Sequence, residues 1–309
     1  MSETDLDNAH SDASWKNPGA SSLVLLFILG LSFAVIIVFN RIAADNLIPF
    51  IPYVFWQTLG GFLILFVLTL FFDGTPVNQS WSHVRIYVLT GILNLTVPYL
   101  IFAFVASKVP SGILSLGLSL IPVTTYGLAL LFRLDTFRAI RFFGIGLGLA
   151  GVLCVILPET SLPTREMTIW VILGFAAPLC YALNTVCVAM LRPASGTSIQ
   201  LAAGLMLMGS LSMLVVMFFN NDWWFFDGDF NSGHWATIAA MFNNALAFYL
   251  IFELIKRAGP VFFSMVNYLS TLVGLGLGIW IFGDANSVWI WFALLLIGVS
   301  LVLVNIIKK

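Results

Sequence analysis

Asn94-Leu-Thr-Val-Pro-Tyr99-Leu-Ile-Phe102, followed by Pro110, occurs in this chain in two copies. The second copy is Asn244-Ala-Leu-Ala-Phe-Tyr249-Leu-Ile-Phe252, followed by Pro260, each matching residue 150 positions after its partner. The correspondence continues at an offset of 149, pairing Gly127 with Gly276, Leu128 with Leu277 and Asp135 with Asp284. One structural unit is therefore present twice. What surrounds it is almost wholly apolar.

Of the 309 residues, 60% are hydrophobic and 9% charged, against about 25% charged in soluble domains. Most of the surface must face something other than water. A spanning helix needs about 20 mostly apolar residues, and ten such segments can be cut. They run roughly 22–41, 51–72, 84–107, 110–132, 139–158, 167–191, 197–219, 234–256, 260–282 and 287–306. The predicted organisation is a polar cytoplasmic tail over 1–21, a five-helix repeat over 22–158 and a second over 167–306. The tail has no basic start and no short apolar core, so it is not a signal peptide.

Orientation follows from the cations. With the N-terminus inside, Lys16, Arg85, Arg133, Arg138, Arg141, Arg192, Lys256, Arg257, Lys308 and Lys309 fall inside, while Arg41, Lys108 and Arg165 fall outside. Ten against three predicts both termini in the cytoplasm and the cytoplasmic (inner) membrane as the location. Five helices is an odd number, so the second repeat starts from the opposite face and the halves are inverted. The fold class expected is an all-α polytopic membrane protein of ten transmembrane helices in two inverted five-helix repeats. Inverted repeats supply two related conformations, one open to each side, which suits a secondary transporter.

Several function classes are disfavoured. There is no basic patch for nucleic acid. Cys154, Cys180 and Cys187 lie in apolar stretches without metal spacing, and no cofactor motif is present. An intramembrane enzyme needs paired acids, metal ligands or a His beside a nucleophile, whereas His10, His83 and His234 sit in the tail or at span ends. A lipid or lipid-like flippase, or a scaffold, remains the alternative. Nothing in a single chain argues for a dimer.

Within the spans no Asp, Glu, Lys, Arg or His lies at mid-depth. Intramembrane ionisable residues mark ion pathways, so their absence points to a neutral, zwitterionic or amine-type metabolite as cargo. Glu253 is the deepest acid; Lys256 and Arg257 follow at the spacing of a helical ion pair, and a gate or proton site is its other reading. Candidate substrate-binding residues are the uncharged polar and aromatic ones. Ser115, Ser119 and Tyr126 share a stripe on the fourth span. Asn94, Asn184, Asn243, Asn244 and Asn267 are mid-span amides that must find partners or a wet cavity. Tyr53, Trp56, Gln57, Tyr99, Tyr181, Tyr249 and Tyr268 supply rings and one further amide. Pro98, Pro122 and Pro178 are expected to kink their helices. Gly144 with Gly148, and Gly274 with Gly278, are candidate close-packing steps.

Taken together these residues resemble the EamA-type branch of the drug/metabolite transporter superfamily. The resemblance rests on Tyr99 to Phe104, Ser111-Gly-Ile-Leu114, Leu120-Ile-Pro122 and Ala150-Gly-Val152 in the first half. In the second it rests on Tyr249 to Leu254, Tyr268-Leu269, Gly283-Asp284 and Ile297-Gly-Val299. It covers about residues 22–306 and implies transport of amino acids, nucleotide precursors, drugs or other metabolites. This chain has Asp135 and Asp284 where the family usually has Glu, and Leu29-Gly30 where it usually has Trp-Gly.

Overall fold

The structure is a computed structural model that describes residues 19–72, 77–105, 118, 120–156, 168–193, 195–226 and 228–282, with scattered positions from 292 to 303. The tail before residue 19, the start of the fourth span and most of the tenth lie outside the described residues. So do Pro110, Ser115, Ser119 and Asp284. Among the described residues the regular structure is entirely helical, as hydrocarbon demands when every backbone N–H must be satisfied within its own segment.

The helices are α1 (Ala20–Asp45), α2 (Phe50–Phe72), α3 (Trp81–Thr90), α4 (Val97–Val105), α5 (Ile121–Leu131), α6 (Ala139–Ile156), α7 (Thr168–Leu191), α8 (Ser198–Asn220), α9 (Ser232–Ser264) and α10 (Val266–Phe282). Six stretches among the described residues are long and apolar enough to cross a membrane. Large apolar side chains such as Phe71, Phe72, Phe142, Phe143, Phe218 and Phe219 stand exposed on the outside of the bundle, a pattern suited to lipid and not to water.

The first copy of the motif is not a plain α-helix. Gly91–Thr96 forms a π-helical turn joining α3 to α4. The N–H of Val97 reaches back five residues to Ile92 O, and Thr96 Oγ1 donates to Gly91 O at 3.2 Å. Pro98 supplies the cause. It has no N–H to give and its ring would press on the carbonyl four residues back, so the turn before it widens. The second copy has Phe248 in that place, and α9 runs through it as ordinary helix.

A different break follows in the second copy. Gly259 adopts φ 83, ψ 171, a region open essentially to glycine alone. With Pro260 next, it turns the eighth span into the ninth without a loop. The break falls between 256 and 260, where the sequence predicts it. A second break at Met265 interrupts the predicted ninth span: Ser264 Oγ donates to Val261 O at 2.7 Å and Asn267 Nδ2 to Ser264 O at 3.0 Å. Pro122 also differs from expectation. It occupies the first turn of α5, where no N–H is needed, instead of kinking a continuous helix. Pro178 sits inside α7.

The packing repeats when the halves are exchanged. α1 packs on α9 and α10, and its counterpart α7 packs on α3, α4 and α5. α2 packs on α9, and its counterpart α8 on α3 and the π-turn. α2 and α8, counterparts of each other, pack together. Glycines permit the closest of these approaches. A Cβ on Gly60 would lie 2.4 Å from the Met241 side chain, and one on Gly209, 149 positions later, 2.3 Å from Leu95. Gly148 likewise has the Tyr268 ring 2.3 Å from where its Cβ would be, so this half of the first glycine step is a close helix contact. Gly274 meets only Ile37, at an ordinary 3.5 Å.

Even the helix starts correspond. His83 is the third residue of α3 and its Nδ1 lies 2.7 Å from Ser80 Oγ. His234 is the third residue of α9, and Asn231 caps that helix in a reciprocal box, the Asn231 N–H donating to His234 Nδ1 at 3.2 Å. Both rings are buried, and each repeat begins its third helix with a histidine bonded to the residue just before the helix, through a full capping box in the second copy only.

Candidate functional site

Where the two halves meet, the bundle forms a partly open cavity of about 260 Å³. Phe33, Ile36 and Ile37 of α1, Asn94 of the π-turn, Tyr99 of α4, Leu118 and Ile121 line it from the first half. Tyr181 and Thr185 of α7, Asn244, Phe248, Ile251 and Phe263 of α9, and Asn267 and Ser270 of α10 line it from the second. No charged side chain is among these residues. Five of the sequence candidates meet on this wall: Asn94, Tyr99, Tyr181, Asn244 and Asn267.

The π-turn decides which aromatic ring reaches the wall. In an α-helix, at about 100° per residue, a side chain five positions on from another points about 140° away from it. In a π-turn the fifth residue returns to the same face. Asn94 and Tyr99 therefore both face the cavity. In the second copy Asn244 faces it together with Phe248, four residues on, and Tyr249 is turned away. Tyr249 instead borders a lateral apolar groove of about 420 Å³ with Ile64, Leu65, Leu68, Phe72, Ile199, Phe242, Ala245 and Leu246.

The remaining candidates are placed elsewhere, each for a visible reason. Tyr53 is buried and its hydroxyl donates to Asn40 Oδ1 at 2.9 Å. Trp56 Nε1 donates to Trp224 O at 2.8 Å, and its ring meets Phe225 and Phe226 from the α8–α9 connection. Gln57 stands behind the wall, its Oε1 accepting from Asn244 Nδ2 at 2.7 Å. Asn243 Nδ2 donates to Ser32 O at 3.0 Å and ties α9 to α1. Asn184 is buried, and neither end of its amide has a protein partner. Tyr126 holds the α5–α6 turn: its hydroxyl accepts from the Arg138 N–H at 2.9 Å and donates to Thr136 O at 3.3 Å. Beside it Arg141 pairs with Asp135.

Tyr268 is fully buried against Gly148, and its hydroxyl donates to Ile145 O at 3.0 Å. It joins α10 to α6 and does not reach the cavity. Tyr268→Phe should cost about 1 kcal/mol, the net value of one hydrogen bond. That would lower the melting temperature in detergent while leaving substrate affinity unchanged.

Glu253 lies away from the cavity in a polar tie. Its Oε1 accepts from Arg257 Nε at 2.6 Å and its Oε2 from Ser198 Oγ at 2.6 Å. Arg192, just beyond α7, donates to Phe252 O at 2.7 Å, to Ser198 Oγ at 3.1 Å and to Gly196 O at 3.3 Å. Burial lowers the Arg192 pKa from its usual value, and the charge of Glu253 partly offsets that. These bonds clamp the α7–α8 turn onto α9. The expected partner Arg257 is present, whereas Ser198 and Arg192, distant in sequence, had no local signal. Glu253→Gln is expected to lower thermal stability and leave the pH profile of uptake unchanged. A flattened profile would make Glu253 a proton site instead.

Thr185 and Ser270 join the wall without having been singled out. Thr185 was within reach of sequence reasoning, since it follows Tyr181 by one helical turn. Both hydroxyls are engaged locally, with Tyr181 O at 2.8 Å and Asn267 O at 3.0 Å.

A search of the curated proteins finds no match. A solved structure titled "Crystal structure of protein" is similar, with a TM-score of 0.76 at 17% identity, covering 92% of this chain and 97% of that one. At that identity the likeness speaks for the fold. The family model described as "EamA-like transporter family" matches residues 20–157 and again 168–306, the two halves between which the packing interchanges. The chain is a multi-pass membrane protein and belongs to the EamA-like transporter family.

Proposed function

We propose that this protein is a secondary transporter moving a small neutral, zwitterionic or amine-type metabolite across the cytoplasmic membrane by alternating access. The ten predicted spans form two inverted five-helix repeats with both termini inside. One central site, walled by both halves, takes the cargo. The observation that supports this most is that Asn94 and Asn244, equivalent positions of the repeat, both line one cavity at the junction of the halves. A site shared in this way can be exposed to either side as the halves rock, with the Pro110 and Gly259-Pro260 segments near the pivots.

Counterflow uptake into proteoliposomes tests the reading. Saturable uptake of one small-molecule class is expected, and its absence for every class tried would count against it.

The lateral groove favours a second reading. Its lining is apolar and Phe72, Phe242 and Leu246 are exposed to the surroundings, so an acyl chain could lie there and a lipid could be the cargo. Transbilayer movement of fluorescent phospholipids in the same vesicles would separate the two readings.

A further inference from the structure

Resting on the transporter reading, we propose that the central cavity selects an uncharged planar heterocycle with an amide-type edge, of nucleobase size. The first argument is charge. The described wall carries none. Between Ala106 and Ser119 the single ionisable residue is Lys108, and from Gly283 to Ile307 it is Asp284, both at the ends of predicted spans. A carboxylate, phosphate or ammonium entering the cavity would lose its water and find no counter-ion. A zwitterion would suffer this at both ends.

Hydrogen bonding narrows the class further. Among the described residues the Asn94 amide and the Tyr99 and Tyr181 hydroxyls make no hydrogen bond, although all three line the cavity. The Asn244 amide gives one N–H to Gln57, which leaves its carbonyl oxygen to accept and its second N–H to give. Beside Asn244 and Asn94 the cargo can therefore both donate and accept. A planar edge bearing adjacent N–H and C=O groups matches this, as Asn and Gln side chains match base edges. A quaternary amine could rest on the rings, but it would displace water from the amides and hydroxyls without answering them, which is costly.

Shape and size agree. Phe33, Phe248 and Phe263 join the two tyrosines on the wall, offering faces on which a flat ring can stack. About 260 Å³ is just under the ~300–1,000 Å³ of ligand pockets in general. One or two fused rings fit that space better than a nucleoside.

The test is direct binding to the purified full-length protein in detergent, read by thermal stabilisation and by radioligand retention. Uracil, adenine and nicotinamide are compared with leucine, choline and benzoate. At least one of the neutral heterocycles should bind, and the three charged or zwitterionic probes should not. Asn94→Ala should weaken that binding by about tenfold, the equivalent of about 1.4 kcal/mol. Tyr181→Phe, which keeps the ring and its packing, should weaken it by less. Preference for leucine, choline or benzoate, or failure of all three heterocycles to bind at millimolar concentration, overturns the proposal. Binding of a heterocycle without vesicle uptake would leave this proposal standing and remove the transporter reading. Uptake of a charged probe alone would do the reverse.

Discussion

Gly259→Ala is expected to abolish most of the folded protein. At φ 83, ψ 171 a Cβ is tolerated poorly, and a residue forced into such a region costs about 1–3 kcal/mol. The usual escape is closed. Pro260 cannot donate a hydrogen bond and restricts the residue before it, so the chain cannot relax into a straight helix through this point. Gly259 is also buried, as are Ala258, Pro260, Val261 and Phe262 beside it in the chain. The bend aims the start of the ninth span at α1, so its loss would disturb both halves. Size-exclusion yield and melting temperature in detergent measure the effect. Pro260→Ala, which leaves the glycine in place, should be much milder. Equal behaviour of wild type and Gly259→Ala would show that the bend needs no glycine.

Asn244→Ala should have the largest effect on transport itself. The side chain contributes an acceptor to the wall and holds Gln57 from behind through a 2.7 Å bond. Truncation removes the first and leaves Gln57, buried at 3% exposure, without its donor. Orphaning a buried group costs about 1–3 kcal/mol. A fall in kcat/KM of at least about tenfold, or about 1.4 kcal/mol, is expected. Two neighbours provide the contrast. Asn243→Ala loses only the bond to Ser32 O and should lower stability without changing KM. Tyr249→Ala alters the lateral groove and should leave KM unchanged. Full uptake by Asn244→Ala would remove that amide from the site.

Six spans among the described residues were legible in the sequence, because lipid leaves helices little alternative and a mostly apolar run is easy to count. The repeat was legible because both copies kept Asn, Tyr and Pro at the same spacing. Phase was not legible. Tyr99 and Tyr249 are equivalent in sequence, yet one faces the cavity and the other the groove, because Pro98 widens only the first copy into a π-turn. A proline signals a local disturbance; whether it sits inside a helix, in a helix's first turn or after a π-turn depends on its neighbours, as Pro178, Pro122 and Pro98 show between them. The mid-span amides were visible as polar residues in need of partners. Which of them faced the cavity, as Asn94 and Asn244 do, and which tied helices together, as Asn243 does, depended on the partner helix. Likewise Arg257 was legible as the partner of Glu253 at helical spacing, while Ser198 and Arg192 arrive through the fold.

The central claim is that one cavity opens in turn to each side of the membrane. Replacing Cys154, Cys180 and Cys187 by serine and then introducing Thr185→Cys on the cavity wall gives a single reporter. A membrane-impermeant maleimide should label it both in right-side-out and in inside-out vesicles, with transported substrate slowing the reaction in each. Labelling confined to one orientation under every substrate condition would contradict alternating access through this site.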